Sequence, residues 1–187
     1  MPKLLPAFIA SAALAITTAL VWPGLWAPYA LLKTLTTLLV IAHAWRLGGQ
    51  GAPMRTPLLA GLVLSLVGDV ALLWPQQGFL PGLVAFLLAH LAYLVAFTRG
   101  LPGVRLGAWP LAFAGYAALA AVVLAVLWPG VPGPLRAPVV AYVLCLASMA
   151  AQAAVVWRSG ADRGAVLAIG GALFMTSDAL LATNKFA

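Results

Sequence analysis

The chain has 187 residues, 65% of them hydrophobic and 7% charged, with ten Lys and Arg against three acidic residues and a formal net charge of +7. Ordinary soluble domains carry about 25% charged residues, so this composition excludes one and points to an all-α polytopic transmembrane helical bundle, residues 1–187 forming a single integral-membrane domain. The apolar stretches are continuous rather than alternating, which excludes a membrane barrel, and the basic residues stand singly between apolar runs, which excludes the basic cluster of a nucleic-acid surface.

Seven spans follow in chain order, at 4–22, 29–46, 57–74, 79–98, 109–128, 137–157 and 164–182, each about 20 residues and so long enough for a hydrocarbon core of roughly 30 Å. The first follows Lys3 and has the length of a retained span rather than of a cleaved signal peptide. The connections hold the breakers: Trp22-Pro23-Gly24, Gly48-Gly49-Gln50-Gly51, Trp74-Pro75, Gly100-Leu101-Pro102-Gly103, the Pro/Gly cluster from Pro129 to Pro134, and Ser159-Gly160. Trp22, Trp26, Trp74, Trp109, Trp128 and Trp157 fall at span ends, as an interfacial aromatic belt does. Lys3, Arg46, Arg55, Arg99, Arg105, Arg158 and Arg163 share one side, against Arg136 and Lys185 on the other. By the positive-inside rule the N-terminus is cytoplasmic, and the expected location is the inner membrane of a bacterium.

The polar residues acquire meaning from their depth. Asp69 and Asp178 are two of only three acidic residues, and a carboxylate inside a span costs about 2.5–3.5 kcal/mol on insertion scales. Each follows a small residue, Gly68 or Ser177, and each precedes a Leu-Leu pair within four positions. Span directions bring Lys33, Asp69, His90, Tyr93 and Asp178 to one outer-to-middle layer, with Asn184 and Lys185 just beyond it, so a polar cavity shared by these helices is expected. His90 and Tyr93, three apart, share a face with Phe86 and Phe97.

Other residues take plainer roles. Cys145 reads as a small core residue, Asp162 as a solvated charge between Arg158 and Arg163, and His43 as structural. Ser65 and Ser177 lack the Gly-x-Ser-x-Gly turn of a nucleophile. Gly61, Gly68, Gly82, Gly170 and Gly171 read as close helix contacts. A metal site needs three or four ligands, and only His90, Asp69 and Asp178 supply them. The residues alone leave open a hydrolase, a small transporter or lipid-binding protein with the Asp pair as proton relay, and a metal-dependent membrane hydrolase.

These positions resemble the YhhN family of membrane proteins. The resemblance runs through Lys33-x-Leu35, Gly68-Asp69-x-x-Leu72-Leu73 and Gly82-x-x-Ala85-Phe86-x-x-x-His90-x-x-Tyr93. It continues through Gly171-Ala172-Leu173-Phe174, Ser177-Asp178-x-x-Leu181 and Asn184-Lys185-Phe186. Family members resemble eight-span proteins, with a further helix after the Asn-Lys-Phe block, and this sequence accounts for seven. The resemblance implies a lysoplasmalogenase: hydrolysis of the vinyl ether of a lysophospholipid substrate to a fatty aldehyde and glycerophospho-ethanolamine or -choline. Asp69 and Asp178 would divide acid and base roles as the two carboxyl groups of a glycosidase do. Lys33 and Lys185 would hold the phosphate, His90 and Tyr93 would orient water or headgroup, Asn184 would line the outer edge, and no metal or organic cofactor is called for.

Overall fold

The computed structural model describes residues 4–22, 24–47, 53–74, 76–101 and 103–186. Lys3, Pro23, residues 48–51, Pro75 and Pro102, used above as topology determinant and breakers, lie outside the described residues. Among the described residues seven α-helices follow in order: α1 (Leu4–Val21), α2 (Trp26–Leu47), α3 (Arg55–Ala71), α4 (Phe79–Arg99), α5 (Pro110–Leu127), α6 (Gly133–Arg158) and α7 (Gly164–Phe186), with a 3-10 turn at Trp128–Gly130. No strand occurs among the described residues. The all-helical membrane fold read from the sequence is the fold observed.

The helix ends differ from the expected spans for local reasons. Helix α6 begins at Gly133 because Pro134 fits its first turn, where the missing N–H has no intrahelical partner to lose. Pro138 then lies inside the helix at the cost of one backbone bond. Helix α3 stops at Ala71, and the next residues tighten into turns, Leu73 N–H donating to Val70 and Trp74 N–H to Ala71, both at 3.1 Å. Helix α7 runs on to Phe186, since Thr183-Asn184-Lys185 contains no breaker and Lys185 suits the negative end of the helix dipole. Six of the helices are long and apolar enough to cross a membrane. The seventh, α3, has 17 residues and rises about 25 Å; it is the helix that carries Asp69.

The chain divides into two compact units, Met1–Ala89 and His90–Ala187. In the first, α2 packs against α1 and α3, and Thr36 donates to Ser11 at 3.0 Å between α1 and α2. Gly68 faces the Phe86 ring, which a Cβ would displace, and Gly82 faces Leu72 in the same way. Both close contacts expected from the sequence are present, and Gly61 is buried.

In the second unit α6 is the centre, with α5 and α7 packed on it. Its buried face is largely alanine (Ala147, Ala150, Ala151, Ala153, Ala154), and such small side chains let helix backbones approach closely where lipid provides no hydrophobic drive. Helix α7 meets it along Gly164, Ala168, Gly171 and Met175; a Cβ on Gly171 would sit 3.2 Å from the Ala150 Cα. Gly170 corrects the sequence reading: it falls off this stripe and has nothing within 4 Å of its Cβ position. At the far end Leu127, Val131 and Val139 are buried with Ala182 and Phe186 packed on them, which anchors the last turn of α7.

One buried polar residue organises the α4–α5 connection. Gln152 of α6 is fully buried. Its Nε2 donates to the Arg105 carbonyl at 3.4 Å and to the Phe97 carbonyl at 3.5 Å, and its Oε1 accepts from Gly107 N–H at 3.4 Å. Replacing Gln152 by Leu strands these backbone groups and is expected to cost about 1–3 kcal/mol. The check is the thermal midpoint of the purified protein in detergent, and an unchanged midpoint would refute the clamp.

Candidate functional site

In the first unit the site is built from α2 and α3. Lys33 and Thr37 are one turn apart and share a face of α2. Across from them, Lys33 Nζ lies 3.3 Å from Asp69 Oδ1 and 3.5 Å from the Asp69 carbonyl oxygen, while the Thr37 hydroxyl donates to Oδ2 at 2.8 Å. Both carboxylate oxygens are thus engaged, one by a cation and one by a neutral donor. An ion pair is how a helix carries a carboxylate through an apolar layer, because the pair has no net charge to desolvate. Side-chain exposures of 26% for Lys33 and 20% for Asp69 leave the pair reachable.

One turn beyond this pair lies a cleft of about 330 Å³ lined by Thr18, Trp22, Trp26, Tyr29, Leu72 and Leu73. Trp26 Nε1 donates to the Leu73 carbonyl at 3.3 Å, and its ring stands 5.8 Å from that of Trp74. These tryptophans cap the helix ends as expected of interfacial residues.

In the second unit three helices converge on His90. The imidazole is fully buried. It meets three rings edge-on: Phe174 of α7 at 4.9 Å, Tyr142 of α6 at 5.3 Å and Tyr93 of its own helix at 6.4 Å. Tyr93 in turn stacks on Phe97 at 6.4 Å. Asp178 lies one turn beyond Phe174 on α7, and its Oδ2 accepts a hydrogen bond from the Tyr142 hydroxyl. An aromatic, tightly packed wall of this kind fixes a polar side chain within narrow limits and leaves little water around it.

The structure therefore brings Lys33 to Asp69, and His90, Tyr93 and Asp178 into one cluster. Asn184 and Lys185 are exposed in the last turn of α7. Two participants were missed by sequence reasoning. For Thr37 the signal is its i+4 spacing from Lys33, which puts the two on one face of α2. Tyr142 carries no charge and belongs to none of the motifs, so only its contact with Asp178 marks it. Cys145, the one cysteine of the sequence, is buried, and Asp162 is exposed. Among the described residues no group of three or more His, Cys, Asp or Glu is gathered as a metal site would require.

A family model described as the YhhN family matches residues 29–187. The chain belongs to the YhhN family. It is 36% identical to lysoplasmalogenase TMEM86B of Homo sapiens over 84% of its own length, and spans 63% of that relative. With lysoplasmalogenase TMEM86A of Homo sapiens the identity is 35%, covering 99% of this chain and 78% of the relative. A membrane protein named YhhN from Escherichia coli O157:H7 is 36% identical over 51% of this chain and 44% of its own. No solved structure matches the chain. Lys33, Thr37, Asp69, His90, Tyr93, Tyr142, Phe174 and Asp178 all lie within the matched region of this YhhN protein, while Thr18, Trp22 and Trp26 precede it, and the chain is an integral membrane protein.

Proposed function

We propose that this YhhN protein hydrolyses the vinyl ether of a lysoplasmalogen, releasing a fatty aldehyde and glycerophospho-ethanolamine or -choline. The observation that supports the reading is that Asp69 and Asp178 stand in unlike settings, on a chain 35% identical to a lysoplasmalogenase along nearly its whole length. Asp69 has a cation and a hydroxyl on its carboxylate; Asp178 has a phenol within an aromatic wall. The reaction needs one protonated acid and one ionised carboxylate, and we assign Asp178 and Asp69 to these roles.

The steps balance with these two groups alone. Asp178 gives its proton to the vinyl carbon remote from the ether oxygen; the π pair forms the new C–H bond, leaving an oxocarbenium ion and an Asp178 carboxylate. Water attacks the cationic carbon and passes a proton to Asp69, giving a hemiacetal. The hemiacetal hydroxyl returns a proton to Asp178 as the C–O bond to glycerol breaks, and Asp69 protonates the departing glycerol oxygen. Aldehyde and alcohol leave, and both carboxyl groups regain their starting states. Lys33 and Lys185 serve the phosphate, and His90, Tyr93 and Asn184 the headgroup and water.

We further place the N-terminus on the cytoplasmic side of a bacterial inner membrane, because Arg46, Arg55, Arg99, Arg105, Arg158 and Arg163 fall at helix ends or connections that the order of the spans assigns to one side. The chemistry is tested by offering purified protein a matched series in which only the chain linkage varies. A vinyl-ether lysolipid should yield aldehyde. Its saturated alkyl-ether analogue, which has no π bond to protonate, should bind and inhibit without reacting. Cleavage of the alkyl ether at a comparable rate would exclude the protonation mechanism.

A further inference from the structure

Resting on the hydrolase reading above, we infer that Tyr142 is a positioning residue for Asp178, holding the acid's oxygen and stabilising the carboxylate that appears as its proton leaves. Nothing in the sequence motifs marks this tyrosine; the geometry does. Its hydroxyl donates to Asp178 Oδ2 from the neighbouring helix. Its ring is held edge-on by His90 at 5.3 Å, and His90 is itself held by Phe174 at 4.9 Å, one turn before Asp178. The contacts close a circuit: α7 carries both Asp178 and the ring that braces His90, His90 braces Tyr142, and Tyr142 returns to Asp178. The α6 and α7 backbones are locked at close approach by Gly171 on Ala150, so neither partner of the bond shifts easily.

Two consequences follow for the proton transfer. A donor committed to Oδ2 makes the two carboxyl oxygens of Asp178 inequivalent. A phenol also donates more strongly to a carboxylate than to a neutral acid. The bond therefore tightens as negative charge develops on Asp178, and stabilisation that grows toward the transition state raises kcat rather than substrate affinity. His90 thereby acquires a role through Tyr142, as the brace that keeps the phenol in line.

The test is Tyr142→Phe, which keeps the ring and its contact with His90 and removes only the donor. Aldehyde release should fall about 10- to 100-fold in kcat, the range for losing a hydrogen bond to a charged group, with KM held within a factor of about 3. In parallel, the infrared carboxyl band of Asp178, isolated by subtracting the spectrum of Asp178→Asn, should move in Tyr142→Phe. Full kcat in a variant that has lost the band shift or kept it overturns the inference, and so does a loss confined to KM. An unmoved band also overturns it, by showing that the phenol and the carboxyl are not coupled. If the parent protein releases no aldehyde, the hydrolase reading fails first and takes this inference with it, a result separable from a failing Tyr142→Phe comparison on an active parent.

Discussion

Replacing Asp178 by Asn is expected to lower aldehyde release by about 10²–10⁴-fold, the contribution typical of a positioned general acid. The amide is nearly the same size and shape as the carboxyl, and its oxygen still accepts the Tyr142 hydroxyl that Asp178 accepts now. It has no acidic proton to give to carbon. Protonating the vinyl carbon is the step that creates the oxocarbenium ion, so no later step can compensate. Stability should change little, because the packing of Phe174 on His90 and of Gly171 on Ala150 does not involve the substituted atom. The measurement is kcat beside the detergent thermal midpoint. Activity within tenfold of the parent would remove Asp178 from the acid role.

The second large effect concerns the ion pair and separates chemistry from stability. Replacing Asp69 by Asn leaves the Lys33 ammonium without the counter-charge 3.3 Å away. Orphaning one partner of a fully buried pair costs about 3–5 kcal/mol. The partial exposure of both side chains lowers the expected loss here to about 1–3 kcal/mol. Replacing Lys33 by Met orphans the carboxylate and should cost a similar amount. Combining the two removes both charges from the apolar layer, so the double variant should be more stable than either single one, a coupling that a double-mutant cycle measures directly. Activity should behave differently. With Asp69 gone no carboxylate receives the proton from water, and the double variant should be as inactive as Asp69→Asn alone. Additive losses of stability would show that the pair is not coupled, and activity regained in the double variant would remove Asp69 from the base role.

The fold was legible because its signals are large. Seven apolar runs of spanning length, punctuated by proline and glycine, admit few alternatives once the solvent is lipid. What was less legible are the ends, where propensity is weakly constrained: α7 continues through Asn184 and Lys185 because nothing there ends a helix, and α6 begins at Gly133 because Pro134 suits its first turn, with Pro138 then held inside at the cost of one backbone bond.

The site was legible in its charges and opaque in its neutral partners. Asp69, Asp178 and Lys33 announce themselves because a charge in a span is expensive. The partner of Lys33, Asp69, emerges only when α2 and α3 are laid side by side. Tyr142, Thr37 and Gln152 carry no such cost in the sequence. Each is identified by what it touches: a carboxylate for the first two, three backbone groups for the third. Gly170 and Gly171 make the same point, since adjacent identical residues differ entirely in role once the packed stripe of α7 is known.

We propose that Asp178 and Asp69 together hydrolyse a vinyl ether. The measurement that tests this most directly is the time course of aldehyde release from a lysoplasmalogen by the purified protein in detergent, run beside Asp178→Asn and Asp69→Asn at matched, verified folding. Steady aldehyde release by the parent and its loss in both variants is the predicted result. A folded parent that releases no aldehyde, or variants that release it as fast as the parent, would contradict the account.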